Sequence, residues 1–161
     1  MEVRLARVDD AEAIRTIYNR EVAGSTTFDL VPRSLEAQQT WLRAHAGAHP
    51  AIVAVDGGEV AGFGSLSPYR ERPAYATTVE DSVYVDASRQ GRGVGKQLLG
   101  ELVRLGTAHG FHAMIGRIVG NNEASIKLHE ACGFRLVGVE REVGRKFGRW
   151  LDVVLMERLL A

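Results

Sequence analysis

Apolar and polar positions alternate over Glu2 to Val8, with Val3, Leu5 and Arg7 opposite Arg4, Ala6 and Val8, and this period of two predicts a first strand. Asp9-Asp10 then offers an N-cap, and Ala13, Ile14, Ile17 and Tyr18 recur at helical spacing over Ala11 to Val22. Gly24 to Phe28 breaks that helix with a polar loop holding one large aromatic. Ser34 caps a second helix that runs to about His45 and buries Trp41 and Leu42. Ala51 to Val55 and Glu59 to Leu66 read as two strands joined through Asp56-Gly57-Gly58, a hairpin turn signal. A loop over 67–76 leads into a long strand rich in Thr and Val, 77–85. Leu98, Leu99, Leu102, Val103 and Leu105 give Lys96 to His109 one apolar face. Ala113 to Val119 is a strand, and Asn121 to Ser125 opens a helix over Ile126 to Ala131, which Gly133 stops. Two strands follow, Phe134 to Glu140 and Trp150 to Leu159, with a basic turn from Arg141 to Arg149 between them. The predicted order is β-α-α-β-β-β-α-β-α-β-β, an α/β single domain with helices on both faces of one mixed sheet.

The segment Gln90-Gly91-Arg92-Gly93-Val94-Gly95-Lys96 lies between a strand and a helix. Glycines at alternate positions leave backbone N–H groups unshielded, and the following helix adds free amides and the positive end of its dipole. Arg92 and Lys96 add charge. Such a loop suits phosphate. It is not a nucleotide P-loop, because Gln97 follows Lys96 where Ser or Thr would stand, and its G-x-G-x-G spacing differs from G-x-G-x-x-G. Taken alone it reads equally well as a tight turn that starts a helix.

Composition narrows the rest. With 161 residues, 45% hydrophobic and 25% charged, the chain fits one globular domain. Its 20 Lys and Arg balance 20 Asp and Glu, which gives no basic field for nucleic acid. No apolar run approaches the roughly 20 residues of a membrane span. The single cysteine, Cys132, excludes an internal disulfide framework, and with no secretory h-region at the N-terminus the expected compartment is the cytoplasm. His45 and His49 lie four apart, but no HExxH glutamate or third ligand accompanies them, and no metal is expected.

Three segments together resemble the GCN5-related N-acetyltransferase (GNAT) family: Thr77-Thr78-Val79-Glu80-Asp81-Ser82-Val83-Tyr84-Val85, the loop Gln90 to Gly95, and Asn122 to Phe134 with its Leu128-His129-Glu130. They are most similar to its phosphinothricin and methionine sulfoximine acetyltransferase branch. The resemblance implies a mostly antiparallel sheet, acetyl-CoA as co-substrate, a small amine acceptor and a homodimer. It implies that the Gln90–Lys96 loop takes the pyrophosphate. The backbone of Val83, Tyr84 and Val85 would pair with the pantetheine arm, and a bulge there would aim an N–H at the thioester carbonyl. Asn122 would bond to the same arm.

The resemblance also selects Glu80 as general base, acting directly or through a water. Strand alternation puts Glu80 and Asp81 on opposite faces, and Asp81 is expected to face solvent. His129 stands where many relatives have tyrosine, to protonate the leaving thiolate or to orient the thioester. Thr27, Phe28, Arg72 and Tyr75 would line the acceptor site, with Arg72 clamping an α-carboxylate bidentately. Other acceptors remain open (an aminoglycoside, a polyamine or a protein N-terminus), as does a non-catalytic acyl-CoA-sensing module with the same fold.

Overall fold

The computed structural model describes residues 1–160. It contains β1 (Glu2–Leu5), α1 (Ala11–Val22), α2 (Leu35–Ala44), β2 (Ala51–Asp56), β3 (Glu59–Pro68), β4 (Thr78–Val85), α3 (Val94–Ala108), β5 (Ala113–Val119), α4 (Glu123–Ala131), β6 (Arg135–Lys146) and β7 (Arg149–Leu159), in the predicted order. One sheet runs β1-β2-β3-β4-β5-β7-β6. Only β4 and β5 are parallel neighbours; every other pair is antiparallel.

Helices cover both faces. Ala51 and Val53 of β2 pack with Ile14, Ile17 and Tyr18 of α1, while Ile52 and Ala54 pack with Leu98, Leu99 and Leu102 of α3. A strand buried on both sides needs no alternation, which is why β2 reads as one apolar run. Each fully buried leucine of α3 contributes roughly 1.5–3 kcal/mol, enough to hold the helix N-terminus firmly against the sheet.

Three boundaries differ from expectation. β1 stops at Leu5, and Val8–Asp10 forms a 3-10 turn in which the Asp10 carboxylate accepts from the Arg7 backbone at 2.7 Å and from the Arg4 guanidinium at 2.8 Å. α3 starts at Val94, two residues early. The basic stretch from Arg141 is not a turn: β6 continues to Lys146, interrupted by a register shift between Glu140 and Gly144 where Glu142 takes φ 54.

The sheet opens at its centre. β4 and β5 pair only from Thr78–Ala113 to Asp81–Gly116. Beyond that, Ser82 to Val85 and Arg117 to Val119 diverge, although β4 stays paired with β3 up to Val85 and β5 with β7 up to Val119. The bulge expected in β4 is absent, since its register with β3 has no shift. Divergence from β5 frees the strand's other edge without one.

Candidate active site

A cleft of roughly 570 Å³ runs through this gap. Gln90, Gly91, Gly93, Val94, Gly95 and Lys96 line one end; Ser82 to Val85 line one side, and Asn122, Ala124, Ser125, Leu128 and His129 the other. Arg20, Glu21 and Thr26, from α1 and the loop after it, also line the cleft, with the Arg20 charge reaching Asp86 just past the end of β4. Gly93, at φ 81, is the N-cap of α3 and has no side chain to bond the first-turn amides, so those N–H groups face the cleft unpaired by a cap. Arg92 is exposed and does not line the cleft; Arg89 and Arg20 do. Arg89 is anchored by Glu59 at 2.8 Å. Asn122 caps α4 by accepting from the Ser125 backbone at 3.2 Å while also facing the cleft.

Glu80 and Asp81 do point to opposite faces, but Asp81 does not face solvent. It is 5% exposed and lies toward α4. His129 Nε2 donates to its carboxylate at 2.9 Å, and His129 Nδ1 lies 2.7 Å from the Ser125 carbonyl oxygen. Burial opposes the charge on this imidazole, but the bond to Asp81, that carboxylate's charge and the Ser125 carbonyl together raise its pKa. With both nitrogens facing acceptors, the surroundings favour the protonated ring, which can donate from both. Glu80 is half-buried on the other face, the face of Tyr84 and α1. Burial raises its pKa; the Arg117 charge opposes this, Asp81 adds to it and Arg70 opposes it.

Phe28 meets the β6–β7 hairpin, where its ring fills the space above Gly144. Thr27, expected to line the acceptor site, is instead 7% exposed, with its hydroxyl 2.9 Å from that of Tyr18; its neighbour Thr26 lines the cleft. The Thr27 carbonyl accepts from Lys146 at 2.9 Å. That lysine is 3% exposed, so one member of the basic stretch is buried and latches the hairpin to the α1–α2 loop. Arg72 and Tyr75 do not join the main cleft. They line a second hollow of about 240 Å³ with Arg70, Pro73 and Thr78. Glu80 lines neither hollow itself; on β4 it stands between Thr78, which lines the second, and Ser82, which lines the cleft, within reach of the charges of Arg117 and Arg70.

Both nitrogens of His45 have protein partners, the Trp41 carbonyl at 2.9 Å and the Ser67 hydroxyl at 3.2 Å. Among the described residues no group of three or more His, Cys, Asp or Glu could hold a metal ion, and no helix is long and apolar enough to cross a membrane.

A parallel strand pair that parts beside a glycine-led helix N-terminus leaves a cleft through the sheet suited to a phosphate-bearing ligand, with an acid of raised pKa on the strand beside it. The Acetyltransferase (GNAT) family matches residues 11–134. A phosphinothricin N-acetyltransferase from Streptomyces coelicolor is 41% identical, over 99% of this chain and 96% of its own length. An L-methionine sulfoximine/L-methionine sulfone acetyltransferase from Pseudomonas aeruginosa is also 41% identical, over 96% of this chain and 92% of its own. A crystal structure of a GNAT superfamily phosphinothricin acetyltransferase from Sinorhizobium meliloti, in complex with AcCoA, superposes with a TM-score of 0.95 at 40% identity, covering 99% and 88% of the two chains. The chain belongs to the GNAT family and is an N-acetyltransferase.

Proposed function

We propose that this enzyme transfers the acetyl group of acetyl-CoA directly to the amine of a small amino acid or analogue, of the phosphinothricin or methionine sulfoximine type. The observation that carries the reading is the cleft through the parted sheet. It joins the Gln90–Lys96 loop to the free edge of β4 at the point where β4 and β5 part, so a donor held there can meet an acceptor at the gap with no need for a covalent enzyme intermediate. Bound acetyl-CoA supplies a thioester, an acyl carbon already activated toward an amine.

The unpaired amides at the start of α3, with Lys96, hold the pyrophosphate. The free edge of Ser82 to Val85 pairs with the amides of the pantetheine arm, and one of its N–H groups stabilises the charge that develops on the carbonyl oxygen, a role worth about 3 kcal/mol. Glu80 takes the proton of the acceptor ammonium. His129, with both nitrogens engaged, orients the donor end of the cleft and is not a free proton donor.

Arg72, exposed in the second hollow, clamps the acceptor carboxylate, and Tyr75 walls its apolar part; Phe28, packed over Gly144 of the β6–β7 hairpin, lines neither hollow. Arg72→Ala is expected to raise KM for a carboxylate-bearing acceptor at least tenfold and to leave KM for acetyl-CoA within about twofold; equal effects on both would refute the clamp. The reading as a whole is tested by screening free amino acids, phosphinothricin, methionine sulfoximine, polyamines and peptides for thiol release from acetyl-CoA. Turnover confined to polyamines or peptide N-termini would overturn the amino-acid assignment, and acetyl-CoA binding without turnover on any amine would indicate a sensing module.

A homodimer belongs to the same proposal. β6 is the edge of the sheet, and it leaves Leu136, Val137, Val139 and Val143 about half exposed, with Trp150 beside them on β7. An unprotected apolar edge strand of this length invites pairing with another copy. Sedimentation equilibrium should give twice the chain mass of 17.6 kDa, and Val139→Lys should shift it toward the monomer. A monomeric wild-type protein would remove this part of the reading.

A further inference from the structure

We propose that Asp81 is a positioning residue: paired with His129, it fixes the fork at which β4 and β5 part, and so sets the width of the acetyl-CoA cleft. The inference rests on the assignment of that cleft to acetyl-CoA.

Asp81 is the last residue of β4 that pairs with β5, and its partner is Gly116. The His129 ring lies directly over Gly116. A Cβ built there would be 2.7 Å from both Cδ2 and Nε2 of His129 and 3.3 Å from Asp81 Oδ2. Only glycine admits this close approach. The Asp81–His129 hydrogen bond therefore crosses β5 at the fork itself and joins one wall of the cleft, β4, to the other, α4. Both side chains are almost wholly buried, at 2% and 4% exposed. The Ser125 carbonyl holds the second ring nitrogen, so the imidazole has no freedom to swing. Phe134 packs against the ring edge-on, with centroids 4.9 Å apart.

A buried pair of this kind is a costly way to gain stability, since desolvation offsets most of the attraction. It is an effective way to specify one geometry. Removing one partner leaves a charge without its counter-ion at the junction of three elements. The walls of the cleft would then separate or α4 would shift along the sheet, and either change spoils the fit of an extended ligand.

The ionisable groups that act with Asp81 on the end of α4 are Cys132, Lys96 and Arg158, and none of them is a second carboxylate. Glu80 and Arg117 are on the opposite faces of their strands, by alternation from Asp81 and Gly116. Cys132, at the end of α4, is buried and its thiol is pushed up by burial. The sign of the pH dependence follows. A histidine whose folded pKa is raised stabilises the fold below its unfolded pKa, and that contribution is lost as pH rises through the folded value.

The test is calorimetric titration of acetyl-CoA into wild type, Asp81→Asn and His129→Asn, with thermal melts confirming that each is folded. Both variants are expected to bind at least tenfold more weakly. A variant that folds and binds as tightly as wild type overturns the proposal. A wild type that does not bind acetyl-CoA overturns the cleft assignment instead, so the two failures are distinct. Should neither variant fold, the wild-type protein decides. Imidazole NMR should show His129 titrating above the ordinary histidine range, with acetyl-CoA affinity falling as that ring loses its proton. A ring that titrates at or below the ordinary range, or an affinity unchanged through its titration, overturns the proposal.

Discussion

Glu80→Gln is expected to lower kcat by roughly 10²–10⁴-fold at neutral pH while acetyl-CoA affinity changes by less than about twofold. Glutamine keeps the shape and one carbonyl oxygen but cannot take a proton. In the wild-type enzyme the base must be ionised, so kcat falls as pH drops through the Glu80 pKa. That pKa is raised chiefly by burial, with Arg117 and Arg70 holding it back. The acidic limb should therefore lie above the range of an exposed glutamate and vanish in the variant. Unfolding cannot imitate this result. A carboxyl with a raised folded pKa favours the native state in acid, and its ionised form at neutral pH costs stability. Neutral glutamine removes that cost, so the variant should melt no lower than wild type. If Glu80 only orients a water and the amine arrives deprotonated, the loss is less than about tenfold and the acidic limb survives, now with the acceptor's own pKa. Steady-state kinetics between about pH 6 and 9, bracketing the usual working range of a catalytic base, separate the two.

Local signals made most of this architecture legible. Two periods of hydrophobicity, a hairpin turn at Asp56–Gly58 and a C′ glycine at Gly133 produce the right elements in the right order. Val83 to Val85, Asn122 and the Gln90–Lys96 loop apart from Arg92 line one cleft. What sequence could not supply were the facts that depend on which elements meet. Asp81 reads as a solvent residue because alternation gives only opposite faces, not what covers each one. Its partner is 48 residues away, and the empty space over Gly116 that admits the pair is invisible until β5 is placed. Lys146 looked like one charge in a basic turn because the bulge at Arg141–Val143, which lets β6 continue, has no turn residue to mark it. The nearest hint was Gly144, where the Phe28 ring now lies. Arg20, Glu21 and Thr26 were missed for a similar reason: a helix C-terminus carries no motif for the cleft that it happens to border.

The glycine loop offers the sharpest test of donor binding, because its key residue can be changed without a steric clash inside the protein. Gly93 has φ 81, and a Cβ added there would find no heavy atom within 4 Å. Gly93→Val therefore meets no clash at its Cβ and carries conformational strain of at least about 1–2 kcal/mol, the cost of a non-glycine residue in the left-handed region. On a chain of this size that lowers Tm by roughly 2–8 °C. The effect on ligand binding should be far larger. The branched side chain occupies the approach to the first-turn amides of α3, the same N–H groups left without a cap. At a concentration near 100 Kd, acetyl-CoA stabilises the wild type by about 2.7 kcal/mol, a rise of roughly 5–11 °C in Tm. In Gly93→Val that rise should disappear. Gly100→Ala is the matched control: it lies in the same helix, also has open space around its Cβ, and lies outside the cleft. It should raise the baseline by about 0.5–1 kcal/mol and keep the full acetyl-CoA shift. An undiminished shift in Gly93→Val would mean that the pyrophosphate is held elsewhere, with Arg20, Arg89, Lys96 and Arg117 as the cleft cations to test.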